Sequence, residues 1–226
     1  GHQSRFFQRT PKRIFKRLPL ILASASPRRR RLMRAFPWPV RVRPSGAHEP
    51  APPRDAPPRL WVKKLARMKA EHIAKSLKEG LVLGADTVVV DGATILGKPR
   101  DETHAVEMLE RLRGRQHRVL TGVAVVDGST GESATGVETS LVTMRQYTDA
   151  EARAFVDSGQ AIDKAGAYAI QDPAFRPAAS VDGCYVNVVG LPLCLTIRLL
   201  RQLGAALDAL AAPVECRHCP LISESL

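Results

Sequence analysis

Apolar residues along the first third of the chain form one short continuous run and two stretches with helical spacing. The run at 18–23 predicts a buried strand, and the helix that follows it carries Leu32 and Met33. Residues 44–58 contain six prolines, which predicts an irregular loop. Apolar positions three and four apart then predict a helix over 59–77.

The rest of the pattern interleaves strands with helices. It predicts strands at 81–90, 94–96, 117–126, 137–147 and 184–189, and helices at 101–113, 148–157 and 193–210. Thr148 and Glu151 form a capping box at the start of one helix. We therefore expect the α/β class: a mixed central β-sheet flanked by helices in a single domain over 18–210, between an arm at 1–17 and a tail at 211–226.

Composition excludes several classes of protein. Hydrophobic residues make up 44% and charged residues 25% of the 226 residues, which is typical of globular domains and not of disordered or fibrous chains. No apolar run approaches the ~20 residues that a membrane helix needs, so we expect no membrane partner. The four cysteines are too scattered for a disulfide framework, which favours a cytoplasmic location.

The net charge of +12 is confined to the front of the chain. Of the 34 Lys and Arg residues, eleven lie within 1–34, where there is no Asp or Glu, which leaves 23 basic against 22 acidic side chains. The first 17 residues could be a basic arm, a transit-like peptide or a remnant of an expression vector, and a loosely ordered tail is the favoured interpretation. A polyanion would therefore have to meet one patch.

The sequence Ser24-Ala-Ser26-Pro27-Arg28-Arg29 joins the first strand to its helix. Ser26 is a good N-cap and Pro27 suits the first helical position, so backbone N–H groups point out of the turn. Such a helix start binds anions, and the arginines add forked donors for phosphate oxygens. A solvated basic helix face is an equally good interpretation of the pattern taken alone.

Asp86 lies in the middle of an apolar strand. A carboxylate there costs free energy unless it is paired or binds a metal. Lys98, just past the next short strand, could return to pair with it, and a buried structural salt bridge is the slightly favoured interpretation if the motif stands alone. The segment 163–171 is a weaker signal for a close-packed turn, and Cys216 and Cys219 more simply form a thiol pair than a zinc site.

Six motifs taken together resemble the Maf family of nucleotide pyrophosphatases. They are SASPRR, GADTVV, GKP, TGV at 121–123, DKAGAYAIQ and NVVGLPL, and the resemblance covers about residues 19–204. It implies a cleft in a mixed α/β fold related to inosine triphosphate pyrophosphatase. It also implies hydrolysis of a nucleoside triphosphate to the monophosphate and pyrophosphate with a divalent metal, Mg²⁺ or Mn²⁺.

The resemblance also implies the roles of individual residues. Asp86 is the expected proton acceptor, and it is expected to hold the metal together with Glu49. The expected substrate-binding residues are Ser24, Ser26, Arg28, Arg29, Lys69, Thr87, Lys98, Lys164 and Gln171. Arginines, lysines and a metal would neutralise the charge that develops on a leaving pyrophosphate.

Three positions match the branch of the family that acts on dTTP and UTP: Arg28, Thr87 and Gln171. The Gln171 amide offers one acceptor and two donors, which suits the N3–H and carbonyl groups of uracil and thymine. A glutamate there would suit 7-methylguanine, so hydrolysis of 7-methyl-GTP is one alternative. The Asp172-Pro173 pair and the segment up to 182 depart from the family pattern and could alter specificity.

A second alternative belongs to a different class of protein. The basic N-terminal region could serve a nucleic-acid-binding or septum-related regulatory protein, but the neutral body lacks the basic stripe of a dedicated binder. We therefore expect a nucleoside triphosphate as the partner and no nucleic acid, and a homodimer stays open.

Overall fold

The computed structural model describes residues 20–36, 38–207, 212–217 and 219. The basic arm expected at 1–17 lies outside these residues. The helix predicted over 193–210 is shorter than expected, because it ends at Gln202 and residues 203–207 are not helical, while 208–210 also lie outside the described residues.

Seven strands form one mixed sheet in this part of the chain. They are β1 (Leu20–Leu22), β2 (Val40–Val42), β3 (Leu81–Asp91), β4 (Thr94–Leu96), β5 (Gln116–Asp127), β6 (Ser133–Met144) and β7 (Ala178–Asp182). The spatial order is β2-β1-β3-β5-β6-β7, and β4 pairs with β3. β1 runs parallel to both its neighbours, while the other pairings are antiparallel. The predicted α/β class with a mixed sheet is confirmed.

Six α-helices accompany the sheet within the described ranges. They are α1 (Pro27–Met33), α2 (Pro58–Ala74), α3 (Glu102–Leu112), α4 (Asp149–Asp157), α5 (Tyr185–Val189) and α6 (Leu193–Gln202), with short 3-10 turns at Ala165–Ala167 and Val214–Cys216. The capping box predicted for α4 is present, because Thr148 and Glu151 each accept the other's backbone N–H.

Successive residues of β3 and β5 face opposite layers of helices, as the two-residue period of a strand requires. Leu83 and Val125 pack in the core that contains residues of α1, α5 and α6. Val82 and Ala124 pack in the cluster that contains residues of α2. Both faces of the central strands are therefore buried, which explains their nearly continuous apolar sequence.

Two glycines let α2 approach the sheet closely. A Cβ on Gly84 would lie 2.2 Å from the carbonyl oxygen of Ala66, and one on Gly122 would lie 2.4 Å from that of Val62. Only glycine fits at such a distance. The close contact brings the middle of α2 against the strand that carries Asp86.

The strand predicted at 184–189 is wrong, because α5 occupies Tyr185–Val189. Short apolar runs cannot distinguish a buried strand from a buried helix by periodicity, and this one ends at Gly190, where φ is 131°. The strands β2 and β7 were not predicted, since each is short and lies at a sheet edge. Among the described residues, no helix has the length and apolar character to cross a bilayer.

Candidate active site

A cleft of about 440 Å³ lies beside the middle of β3. Five basic and three acidic side chains contribute to its lining. It brings together ten of the eleven residues singled out from the sequence: Ser26, Arg28, Arg29, Glu49, Lys69, Asp86, Thr87, Lys98, Lys164 and Gln171. The eleventh, Ser24, is buried directly behind Arg29, with which it forms a hydrogen bond.

Asp86 pairs with Lys69 of α2. The Lys69 Nζ lies 2.8 Å from Oδ1 of Asp86 and 3.0 Å from Oε1 of Glu49, which comes from the proline-rich loop. The side chains of Lys69 and Asp86 are only about a tenth exposed. The prediction that Lys98 pairs with Asp86 is wrong, because the close approach of α2 supplies Lys69 instead and Lys98 stays exposed at the cleft.

The Arg29 guanidinium is held by three hydrogen bonds. It donates to the Gly190 carbonyl at 2.7 Å, to Thr87 Oγ1 at 3.0 Å and to Ser24 Oγ at 3.3 Å. These bonds use three of its five N–H donors, so the described residues leave two for a ligand. Burial lowers the pKa of Arg29 and the charge of Asp86 acts in the opposite direction. A bound anion in the cleft would stabilise the charged Arg29 guanidinium and so offset the free-energy cost of burying it.

The Thr87 hydroxyl helps to orient Arg29 and uses its only hydrogen within the fold. The Thr121 hydroxyl donates to the Asn187 carbonyl, so at the 2.8 Å contact between the two hydroxyls Thr87 must donate and Thr121 accept. Thr87 Oγ1 in turn accepts from Arg29. The hydrogen bonds therefore run in one direction from the guanidinium across β3 and β5 to α5.

The start of α1 provides positive charge mainly through side chains. Ser26 caps the helix, and its hydroxyl accepts the backbone N–H of Arg29, so this N–H is used within the turn. The Arg28 Nε donates to the Val189 carbonyl at 3.3 Å. Both arginines of the turn are thus anchored to the end of α5, with guanidinium groups at the cleft.

Lys164 enters the cleft from the turn that was a weak sequence signal. Gly166 in this turn has a φ of 69°, and a Cβ there would lie 2.9 Å from a methyl group of Val89. The turn therefore packs directly on β3, as the small residues suggested. Lys164 donates to Asp163 at 2.9 Å and to the Gln160 carbonyl.

Gln171 lines the cleft at the other end of the same segment. Its Oε1 accepts from Arg31 at 3.2 Å and its Nε2 donates to Glu215 Oε1 at 3.0 Å. Arg31 and Glu215 also contact each other at 2.6 Å. The amide is therefore held at both ends.

No group of three or more His, Cys, Asp or Glu side chains forms a metal site within the ranges that the structure describes. His218, the histidine of the candidate zinc motif, falls outside those ranges. Cys184 and Cys216 are buried in the core, and burial raises the pKa of both thiols, to about 12 and about 11. Neither thiol is ionised at neutral pH.

Comparison with known proteins decides the family. The model of the family described as Maf-like protein matches residues 19–203. The chain belongs to the Maf family. That match contains every residue of the cleft named above.

Curated Maf relatives resemble most of the chain. A protein of Dehalococcoides mccartyi strain 195 is 43% identical over 185 residues, which is 82% of each chain. One of Thermomicrobium roseum is 45% identical over 90% of this chain and 94% of its own, and one of Salinibacter ruber is 47% identical over 81% and 90%. All three are named dTTP/UTP pyrophosphatase.

A more remote likeness is found among solved structures. The Staphylococcus aureus Ham1 protein matches with a TM-score of 0.40 at 15% identity, over 57% of this chain and 73% of its own. A dITP/XTP pyrophosphatase of Mycobacterium abscessus matches with a TM-score of 0.36 at 15% identity, over 57% and 75%. Likeness at this level supports no inference about the site.

Three residues around the Maf cleft had no role predicted from the sequence, although two of them, Thr121 and Asn187, begin the TGV and NVVGLPL motifs. Thr121 and Asn187 continue the hydrogen-bond chain behind Thr87, and Glu215 holds Gln171. Thr121 lies opposite Thr87 in the register of β3 and β5, so two threonines in adjacent strands were the available signal, but the register itself could not be read. Nothing in the sequence pointed to Glu215.

Proposed function

We propose that this protein hydrolyses dTTP and UTP to the monophosphate and pyrophosphate. The observation that carries the proposal is the cleft itself, where a buried carboxylate, Asp86, lies among basic side chains that come from four separate segments of the chain. Relatives at 43–47% identity that are named dTTP/UTP pyrophosphatase support the choice of substrate. The 7-methyl-GTP alternative is not favoured, because Gln171 rather than a glutamate lines the cleft.

The donor set at Asp86 fits a hard divalent cation. Lys69 engages Oδ1 of Asp86 and Oε1 of Glu49, so the second oxygen of each carboxylate remains for another cation. Mg²⁺ is commonly held by one or two carboxylates together with substrate phosphates and water. Glu49 and Asp86 would hold Mg²⁺ or Mn²⁺, which when bound supplies charge neutralisation and a lower pKa for water.

The basic side chains bind the triphosphate. Arg28 and Arg29 meet phosphate oxygens with the N–H groups that are not used in the fold, and their anchoring to α5 fixes the direction of those groups before substrate arrives. Lys98 and Lys164 add further positive charge to the cleft lining. Together they stabilise the charge that develops on pyrophosphate as it leaves.

Asp86 accepts the proton from the attacking water. The water oxygen forms a new bond to phosphorus, the α–β phosphoanhydride bond breaks, and its electron pair leaves with pyrophosphate. Lys69 keeps Asp86 in position through its 2.8 Å hydrogen bond and separates it from Glu49, whose like charge would otherwise repel it. Gln171 contacts the base with the one amide N–H and the one oxygen lone pair that Glu215 and Arg31 leave unused.

The substitution Asp86→Asn tests the proton acceptor. It keeps the shape of the side chain but removes its basicity, so we expect turnover of UTP and dTTP to fall about a hundredfold or more. Pyrophosphate release is measured with Mg²⁺ and with Mn²⁺ over UTP, dTTP, CTP and 7-methyl-GTP.

Asp91→Asn is the matched control, because it makes the same change in the same strand, at a buried carboxylate that pairs with Arg111 and Arg115 and does not line the cleft. We expect it to retain turnover within a few-fold of the original protein. Full activity in Asp86→Asn would remove Asp86 from the reaction. If the unmodified protein releases no pyrophosphate from UTP or dTTP, the proposed function is wrong.

A further inference from the structure

The C-terminal segment Val214–Cys216 reaches the cleft through Glu215 and Gln171. Glu215 lies beyond residues 19–203, which match the family model, and it does not itself line the cleft. Its Oε1 accepts from Nε2 of Gln171 at 3.0 Å and from Arg31 at 2.6 Å. Cys216, the next residue, is buried in the main core and fixes the segment there.

The two partners of Gln171 determine which way its amide points. Arg31 has only donors, so it can meet the amide oxygen and not the amide nitrogen. Burial acts against ionisation of Glu215, but hydrogen bonds from its own backbone and from Arg31 hold its pKa below the usual range, so its carboxylate only accepts. If the Gln171 amide were rotated by 180°, its N–H groups would face the N–H groups of Arg31 and its oxygen would face the carboxylate of Glu215. Both of these contacts are repulsive.

The direction of this amide decides which pyrimidine it can read. Uracil and thymine present an N3–H donor beside the O4 acceptor, whereas cytosine presents an N3 acceptor beside an amino donor. A freely rotating glutamine can match either pattern, because it exchanges donor and acceptor when it turns over. Arg31 and Glu215 leave one N–H and one lone pair of the Gln171 amide, and locking the amide fixes whether its nitrogen or its oxygen faces the base.

We propose that Glu215, with Arg31, is a positioning residue that makes the enzyme prefer uracil and thymine nucleotides to cytosine nucleotides. The inference rests on the proposed function and on Gln171 as the residue that contacts the base. Glu215 acts through Gln171 and touches no substrate atom. The C-terminal tail therefore contributes to substrate specificity.

The test measures kcat/KM for UTP and for CTP on the same preparation of each variant. Their ratio does not depend on the fraction of protein that is folded. Glu215→Met keeps the length of the side chain and removes its acceptors, and we expect the UTP to CTP ratio to fall about tenfold. Arg31→Met releases the other end of the amide and should lower the ratio in the same direction.

Arg217→Ala is the control, since it removes a charge from an exposed residue of the same segment, and its ratio should stay unchanged. The inference is overturned if the UTP to CTP ratio is unchanged in either Glu215→Met or Arg31→Met. It is also overturned if a variant loses UTP and CTP activity equally, or loses both completely. An unmodified protein that cleaves neither UTP nor dTTP would instead refute the proposed function.

Discussion

The Lys69 ammonium group holds the carboxylates of Asp86 and Glu49 close together. It contacts both of them, and Asp86 would otherwise be an unpaired charge in an apolar strand. A buried structural salt bridge was an open interpretation of Asp86 taken alone. The pair is indeed a salt bridge, but it lies in a cleft with four other basic side chains, which is more than a stability role requires.

Gln171→Glu tests base reading at the scale of a single residue. A glutamate cannot donate to the O4 of uracil, and its charge would face Glu215 at a position where the present contact is 3.0 Å. We expect kcat/KM for UTP to fall about tenfold or more, and the ratio of UTP to 7-methyl-GTP activity to fall with it.

Gln202→Glu is the control, because it adds the same negative charge at an exposed residue outside the cleft. It shows whether the added charge alone weakens binding of the triphosphate, apart from any contact with the base. It should leave that ratio unaltered. Turnover of UTP and dTTP that Gln171→Glu leaves unaffected would contradict the role of Gln171.

At the scale of elements, the position of α2 against β3 sets the geometry of the cleft. The helix lies as close as it does because Gly84 and Gly122 have no side chains, and it carries Lys69 and part of the apolar cleft wall. Gly84 is the first residue of the GADTVV motif, so this glycine has a packing reason to be there.

Gly84→Ala should move α2 away from the sheet. The added Cβ would meet a backbone oxygen at 2.2 Å, which a rotamer change cannot relieve. We expect the free energy of unfolding to fall by about 3 kcal/mol, and activity to fall as Lys69 moves from Asp86. Urea denaturation and pyrophosphate release measure the two effects.

Gly97→Ala is the matched control for stability alone, because a Cβ there would meet nothing within 4 Å but Gly97 itself lines the cleft. Its stability should change by about 1 kcal/mol or less. A stable and active Gly84→Ala variant would show that close helix–sheet contact is not what positions Lys69.

Most elements could be predicted because local pattern determined them. The strand at 94–96 and the helix that starts after Thr148 were confirmed, since a hairpin turn and a capping box are local signals. The prediction of a strand at 184–189 was wrong, because its five apolar residues can be buried in a strand or in a helix. Packing against β5 and β6 makes this segment the helix α5.

At the scale of the whole molecule, the sheet gathers residues that are far apart in sequence. Motifs at 24–29, 84–89 and 163–171 could be found by inspection, and the structure brings them to one cleft. The partners of those residues could not be predicted, because strand register and helix approach decide them. Lys69 rather than Lys98 pairs with Asp86, and the tail reaches Gln171 through Glu215.

A crystal structure with a non-hydrolysable UTP analogue, in which NH replaces the α–β bridging oxygen, grown with Mg²⁺, tests most directly where the phosphate chain binds. We expect phosphate oxygens within hydrogen-bonding distance of the Arg28 and Arg29 guanidinium groups, and the α–β bridge beside Asp86. Phosphates bound away from both the Ser24–Arg29 turn and Asp86 would contradict it.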